Sequence, residues 1–389
     1  MEITNIEVFP LKIDKGVIYL GESSGLQTSE ADYYLRPEYR SFYSKKLETL
    51  LVKITTDQGI VGWGECLSPV VPEVSATIIE KLFASYLLGE NPCKMDVIWN
   101  KLYNSMRERG YFSGFMVDAI TAIDIALWDI AGKKYNQPIY NLLGGNHRTK
   151  IQAYVSGLPK KAIDEKKLLA REWQNKNFNY IKLHLGFSLE EDVHIIAELK
   201  REFPDLNFMV DCHWNYSPKE ALTLAKKLEA YEVQFIEAPV LPEDIDGNCF
   251  VVSHSSIPIA IGEAKRTKYQ FKERLVRRAG DILQPDIGRV GITEAKKIAD
   301  MAEAFNIPIA PHLSVGLGVC IAATLHVSAA IHNFYMLEYQ PTVFPLANEL
   351  VSNDLVCESG FYELPSGAGL GITVDEEKVR YYSKIQEGN

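Results

Sequence analysis

LNFMVDCHWNYSPKEALTLAKKLEAYEVQFIEAPVLPEDIDGNCFVVSHSSIPIAIGEA, residues 206–264, holds three short apolar runs, and each ends on an acid: Asp211, Glu237 and Glu263. Both gaps between these acids are 26 residues, about the length of one strand-helix-strand repeat. The stretch Lys219–Tyr231 between the first two has helical amphipathic spacing. Acids at the ends of successive parallel strands converge on one point. Like charges gathered there repel unless a cation lies between them. The spacing therefore points to a divalent metal site built by a repeating architecture.

The same rhythm continues on both sides. Strand-like runs occur at 150–155, 179–185, 206–212, 233–237, 258–262, 280–285, 306–311 and 333–338, with amphipathic stretches such as Glu190–Glu202 and Ile292–Phe305 between them. Eight strands alternating with helices predict a closed (β/α) barrel; an open doubly wound sheet is the structural rival. No G-x-G-x-x-G or G-x-x-x-x-G-K-[ST] loop is present, which argues against nucleotide binding. Before residue 150 the pattern differs. An extended segment (Ile3 to Ile13) and two strand-like runs (Leu50–Thr55, Gly59–Glu65) joined at Asp57-Gln58-Gly59 precede helical stretches at 73–87, 95–108 and 116–133, an α+β unit.

Composition sets outer bounds. With 389 residues, 47% hydrophobic and 24% charged, the chain reads as globular, either two domains or one barrel with an accessory domain. A net charge of −10 and a pI near 5.4 argue against nucleic acid or anionic membrane as partners, so an anionic substrate requires a local positive site. No apolar run spans a bilayer, and MEITNIEVFP has no signal-type core, so a cytoplasmic protein is expected. Six cysteines without C-x-x-C spacing suit reduced thiols.

Barrel chemistry lies at the C-terminal ends of the strands. Those ends carry Lys182 and His184, Asp211 and His213, Glu237, Glu263, Asp286, His312 and Glu338 in turn. With AIDIALWDIAGKKYNQPIYNLLGG (122–145), IKLHLG, VDCHWN, IEAP, GEA, QPDIGRVGIT and APHLSVG in this order, nearly the whole chain resembles the enolase superfamily, in its mandelate racemase/muconate lactonizing enzyme-like branch of acid-sugar dehydratases and racemases. The resemblance implies a modified (β/α)₇β TIM-type barrel at about 126–365. An α+β capping domain would come from residues 1–125, completed by about 366–389. It also implies a homo-oligomer, and a Lys or His base working beside Mg²⁺.

The residue chemistry fits. Removing a proton next to a carboxylate makes an unstable dianionic enediolate, which a hard cation held by Asp211, Glu237 and Glu263 would stabilise. Oxygen-only ligands favour Mg²⁺, with Mn²⁺ next. His312 with Asp286 resembles the family's His-Asp dyad, in which the carboxylate fixes the imidazole tautomer. Lys182 and His184 alternate with Leu183, so both point into the barrel. The branch often has Lys-x-Lys here, and His184 replaces the second Lys, as a base on the opposite face or as a polar contact. His213 beside Asp211 resembles the general acid of galactonate and mannonate dehydratase-like members; a spacer is the plainer reading. Glu338 either donates to the substrate carboxylate in protonated form or braces a neighbour.

Residues 14–47 form a long segment holding Tyr19, Tyr33, Tyr34, Arg36, Tyr39, Arg40 and Tyr43. It either closes over the mouth, where Tyr34, Arg36 and Arg40 would bind substrate hydroxyls or a second carboxylate, or serves as a solvated loop or oligomer contact. Trp214 lines the site or packs in the core. The leading expectation is an Mg²⁺-dependent sugar-acid dehydratase that removes an α-proton and a β-hydroxyl to yield a 2-keto-3-deoxy acid. A racemase, epimerase or cycloisomerase working through the same enediolate is the alternative, and a non-catalytic sugar-acid sensor the third reading.

Overall fold

The computed structural model describes residues 1–14, 20, 21, 23, 31–352 and 355–384. Its first five strands are β1 (Ile3–Ile13), β2 (Tyr33–Arg36), β3 (Ser41–Ser44), β4 (Leu47–Thr56) and β5 (Val61–Cys66). β1, β4 and β5 form an antiparallel sheet, and β2 and β3 form a separate hairpin. The β4–β5 turn is where Asp57-Gln58-Gly59 placed it: Gly59 has φ +73° and its N–H donates to the Thr56 carbonyl at 3.0 Å. The stretch read as one helix over 73–87 instead carries a π-helical turn, Ile79–Phe83, between two short α-helical pieces.

Helix α1 (Phe115–Tyr135) joins this unit to the rest. It lies against the backbone of β5, where a Cβ on Gly62 or Gly64 would sit 2.2 Å from the Ala126 carbonyl oxygen or 1.8 Å from that of Ala122. Only glycine permits that approach. Three buried acids of α1 reach outward: Asp118 to Arg266 at 2.7 Å, Asp124 to the Thr293 amide at 2.9 Å, and Asp129 to the Trp63 amide at 2.9 Å. The helix crosses residue 125, so the cap and the barrel share it.

The barrel strands are β6 (Lys150–Ser156), β7 (Tyr180–His184), β8 (Asn207–Asp211), β9 (Ile236–Glu237), β10 (Ile259–Ile261), β11 (Ile282–Leu283) and β12 (Leu337–Tyr339). Neighbours pair in parallel, and β12 pairs with β6 to close the cylinder. The seventh run, expected as a strand over 306–311, makes only isolated bridges at Ile309 and His312. Pro308 and Pro311 remove amide donors there, leaving the N–H groups of Ile309, Ala310 and His312 to bond the carbonyls of Asn333, Leu283 and Pro285. A closed cylinder excludes the open-sheet rival.

Side-chain parity divides the interior into layers. Tyr154, Met209, Phe235, Ala260, Ile282, Ala310 and Met336 fill one apolar layer. Two residues further along each strand stand Ser156, Asp211, Glu237, Gly262, Gln284, His312 and Glu338. The apolar layer is thus a floor, and the polar one faces the mouth. Helix α2 (Leu189–Glu202) follows β7, helix α3 (Ile287–Ala304) follows β11, and helix α4 (Gly318–Ala330) follows the seventh run. Near the C-terminus, α5 (Glu376–Lys384) returns to β1, with Arg380 bonded to Glu7 at 2.5 Å. Among the described residues no helix is long and apolar enough to cross a membrane. All six cysteines are free.

Candidate active site

Parallel register sets a row across the mouth: His184 is opposite Asp211, and Asp211 is opposite Glu237. Glu263 stands two residues beyond the end of β10, past Gly262 at φ +136°. The three acids do not gather alone, because each takes a nearby cationic or imidazole partner. Asp211 lies 3.2 Å from both His184 Nδ1 and His213 Nδ1. Glu237 receives Lys182 Nζ at 2.8 and 3.0 Å, and Glu263 meets His312 Nε2 at 3.1 Å. Potential ligand atoms therefore form two sets, His184–Asp211–His213 and Glu237–Glu263–His312, each spanning no more than 4.8 Å.

The set still fits a hard divalent cation. Three carboxylates supply oxygen donors at adjacent strand ends, which suits Mg²⁺ or Mn²⁺. Burial pushes Glu263 up to about 8, with Glu237 and Asp211 adding to the shift against the pull of His312. Mutual repulsion among buried acids is what a cation between them would relieve.

On one side, His312 Nδ1 lies 2.6 Å from Asp286 Oδ2. Burial disfavours its charge, but Glu263, Glu338 and Asp286 outweigh that and push it up to about 10. On the other side, Lys182 is held between Glu237 and Glu338, the latter at 3.2 Å, over the Tyr154 ring. Burial opposes its charge as well, yet the two carboxylates keep it well above its ordinary value. Glu338 accepts from Ser156 Oγ at 2.5 Å and from the Leu313 amide at 2.8 Å. Despite burial, Lys182 and His312 pull it down to about 2. Glu338 is thus held between Ser156, the Leu313 amide and Lys182.

His213 reaches the mouth by a different route from simple alternation. β8 ends at Asp211, and the chain then turns through left-handed His213 (φ 48°) and Trp214 (φ 59°). Each such residue costs roughly 1 kcal/mol or more. The Trp214 N–H to Ala238 carbonyl bond, 2.7 Å, helps hold the turn. The His213 ring stacks on Tyr39 at 3.9 Å between centroids, and its Nδ1, though near Asp211, makes no aligned hydrogen bond. Burial pushes it down to about 4, against the opposing pull of Asp211.

The β2–β3 hairpin closes the cavity, whose volume is about 440 Å³. Tyr34, Arg36 and Trp214 line it; Arg40 does not. Arg40 is exposed and reaches Asn215 Oδ1 at 3.5 Å, beside the Asn215 Nδ2 bond to the Glu38 carbonyl at 2.8 Å. Arg36 donates to the carbonyls of Leu20 and Gly21 at 2.9 and 3.1 Å. Tyr19 lies outside the described residues.

Sequence reasoning missed several contributors. Gln284 donates to Glu237 at 2.7 Å, and Ser156 holds Glu338; strand parity with Asp286 and with Tyr154 signals both. Asp192 of α2 accepts from the Gly186 and Phe187 amides at 2.8 and 3.2 Å and from Tyr216 Oη at 2.6 Å, tying together the loops after β7 and β8. No sequence signal marked it. Lys46 and Arg289 also line the cavity.

Comparison with known proteins identifies the family. Residues 165–378 match the family described as Enolase C-terminal domain-like, and residues 28–144 match the Mandelate racemase / muconate lactonizing enzyme, N-terminal domain. The chain belongs to the enolase superfamily. This superfamily member is 34% identical over 344 residues to the D-galactarolactone cycloisomerase of Agrobacterium fabrum, covering 85% of this chain and 90% of that one. A protein of Sinorhizobium meliloti solved as a proposed isomerase superposes with a TM-score of 0.95 at 37% identity, covering 98% of this chain and 99% of that one. The 3,6-anhydro-D-galactonate cycloisomerase of Zobellia galactanivorans superposes at 0.84 with 32% identity, covering 98% and 99%.

Proposed function

We propose that this enolase-superfamily enzyme removes the α-proton of a sugar-acid carboxylate and expels the β-oxygen, opening a cyclic sugar acid to a 2-keto-3-deoxy acid. The observation that carries the reading is His312, fixed at Nδ1 by Asp286 at 2.6 Å with Nε2 turned to the acids in the mouth. Asp211, Glu237 and Glu263 would hold a divalent ion, Mg²⁺ first and Mn²⁺ next. When bound, it offsets the charge that builds on the substrate carboxylate. His312 takes the α-proton at Nε2 only when Glu263 has left it, since that contact keeps the imidazole protonated. Lys182, braced by Glu338, aims its ammonium at the charge developing on the carboxylate. His184 faces the substrate from the Lys182 side, set by Asp211 and Ser156.

Two cycloisomerases among the relatives support ring opening over loss of water. Leaving-group chemistry points the same way. The acyloxy oxygen of a lactone leaves as a carboxylate and needs no proton, whereas hydroxide does. A neutral, stacked His213 suits the former. Dehydration is the second reading, favoured by the placement of His213 against Asp211 in the same cavity. A cytoplasmic homo-oligomer is part of the proposal, supported by the free cysteines and by the exposed Leu35 and Phe42 paired across the hairpin.

The test is to incubate the Mg²⁺-loaded protein with sugar acids and their lactones in D₂O. NMR would follow the α-proton, and semicarbazide would trap keto acid. Keto acid from lactones supports ring opening, and keto acid from open-chain acids supports dehydration. Exchange without keto acid assigns an epimerase. A panel with no exchange at all would sink the enolising reading and leave a sensor.

A further inference from the structure

The hairpin arginines expected to meet a second anionic group are engaged elsewhere: Arg36 with two backbone carbonyls, Arg40 with Asn215 outside the cavity. Four other cations line that cavity: Lys182, held by Glu237 and Glu338; Lys45, which has an interaction of its own; and the pair Arg289 and Lys46. Among the described residues neither side chain makes a hydrogen bond or ion pair, and Arg289 Nε is buried with no partner. Its backbone is fixed in the first turn of α3: its N–H donates to the Asp286 carbonyl at 2.9 Å, and its carbonyl accepts from Thr121 Oγ1 at 2.8 Å. Asp118, the acid whose charge Arg289 feels, is already taken by Arg266 at 2.7 and 3.1 Å. A buried guanidinium N–H left unmade is costly, so its position in a cavity wall points to an acceptor that arrives with the ligand. In a chain of net charge −10, an unspent cation pair inside the reaction cavity is a selective feature.

We infer that Arg289, assisted by Lys46, binds a second carboxyl group of the substrate, so the substrate class is sugar diacids and their monolactones rather than monocarboxylic sugar acids. This rests on the proposed enolising function and deepens it. In a monolactone the second carboxyl group is the ring carbonyl. As the base takes the α-proton, the C–H electrons form the C=C bond and the β C–O bond breaks. Its pair stays on the acyloxy oxygen, which becomes a carboxylate in front of Arg289. The guanidinium therefore binds the leaving group more strongly as the ring opens, and the enol then takes up a proton on the former β-carbon and gives up its hydroxyl proton to become the keto acid.

The probes are galactarate and galactonate, which differ in carrying a distal carboxylate or a distal CH₂OH. Calorimetric binding to the Mg²⁺-loaded enzyme should favour the diacid by roughly 10- to 150-fold, the range for a hydrogen bond to a charged group. In Arg289→Gln the ratio of the two affinities should collapse toward one, and Arg289→Lys should restore part of it. Lys46→Gln, whose half-buried side chain is easily spared by the fold, should reduce the ratio independently if Arg289→Gln does not fold. Equal wild-type affinities, or variants that weaken both acids alike, would overturn the inference. Solvent-deuterium exchange at the α-carbon separates the two levels. No exchange with any acid overturns the enolising function itself, whereas exchange with both acids at equal affinity overturns only the diacid assignment.

Discussion

Asp286→Asn removes one charge and almost no volume. Asp286 is 2% exposed, lies 2.6 Å from His312 Nδ1 and is absent from the cavity wall. The change therefore reaches the substrate only through the imidazole. A hydrogen bond between charged groups contributes about 1.5–3 kcal/mol. Losing that support for the imidazolium weakens His312 as a proton acceptor, and at 1.36 kcal/mol per tenfold the rate should fall roughly 10- to 150-fold. Carboxylate binding, which Asp286 does not touch, should change little. The assay is α-proton exchange in D₂O at saturating substrate, with affinity measured separately by calorimetry and folding checked by thermal midpoint. The rate should fall at constant Kd. Exchange within twofold of wild type would refute the dyad. A parallel loss of affinity and rate would show that Asp286 is only a structural support.

Glu237→Gln should weaken Mg²⁺ binding in calorimetry by at least tenfold, since it removes one of three anionic ligands and frees Lys182; unchanged affinity would argue against the metal assignment. His326, on α4, is fully buried with neither ring nitrogen in full hydrogen-bonding geometry, and burial, slightly offset by the Leu370 backbone, pushes it down to about 4. Its folded value lies below the unfolded one near 6.5, so the unfolded chain binds the proton first. Stability should be intact above about 6.5 and fall by up to roughly 3 kcal/mol as pH drops toward 4. His326→Leu should flatten that acid limb in urea titrations at pH 5 and pH 8, and an unchanged slope would exclude His326 as its source. Tyr39→Leu removes the stack on His213, an interaction of about 0.5–1.5 kcal/mol. It should weaken substrate binding several-fold with little change in the exchange rate at saturation, and an unaltered Kd would mean the hairpin does not close the site through this contact.

Some of this was readable along the chain because it depends on short-range periodicity. Alternation puts every second residue of a strand on one face, so the apolar floor from Tyr154 to Met336 and the polar layer above it follow from spacing. Asp211, Glu237, His312 and Glu338 could be placed at the mouth for that reason. His213 was named for its neighbour Asp211 but not for its geometry, which arises after the strand has ended. The seventh run looked like a strand by hydrophobicity. Pro308 and Pro311 were visible, and they decided how few ladder bonds it makes.

Charge pairing is different in kind. Lys182 with Glu237 spans 55 residues and Asp118 with Arg266 spans 148. No local pattern encodes such distances, because they depend on how helices and loops pack. That is why Arg36 and Arg40 looked available in sequence and are engaged in the fold, while Arg289 and Lys46 looked ordinary and line the cavity. The sequence by itself determined the repeating α/β framework and which acids and bases stand at its strand ends, through the two-residue period of a strand and the 26-residue return of the acids. Only the tertiary structure decided which partner each charge takes and which cations stay unspent, because an electrostatic energy depends on distance and burial in three dimensions.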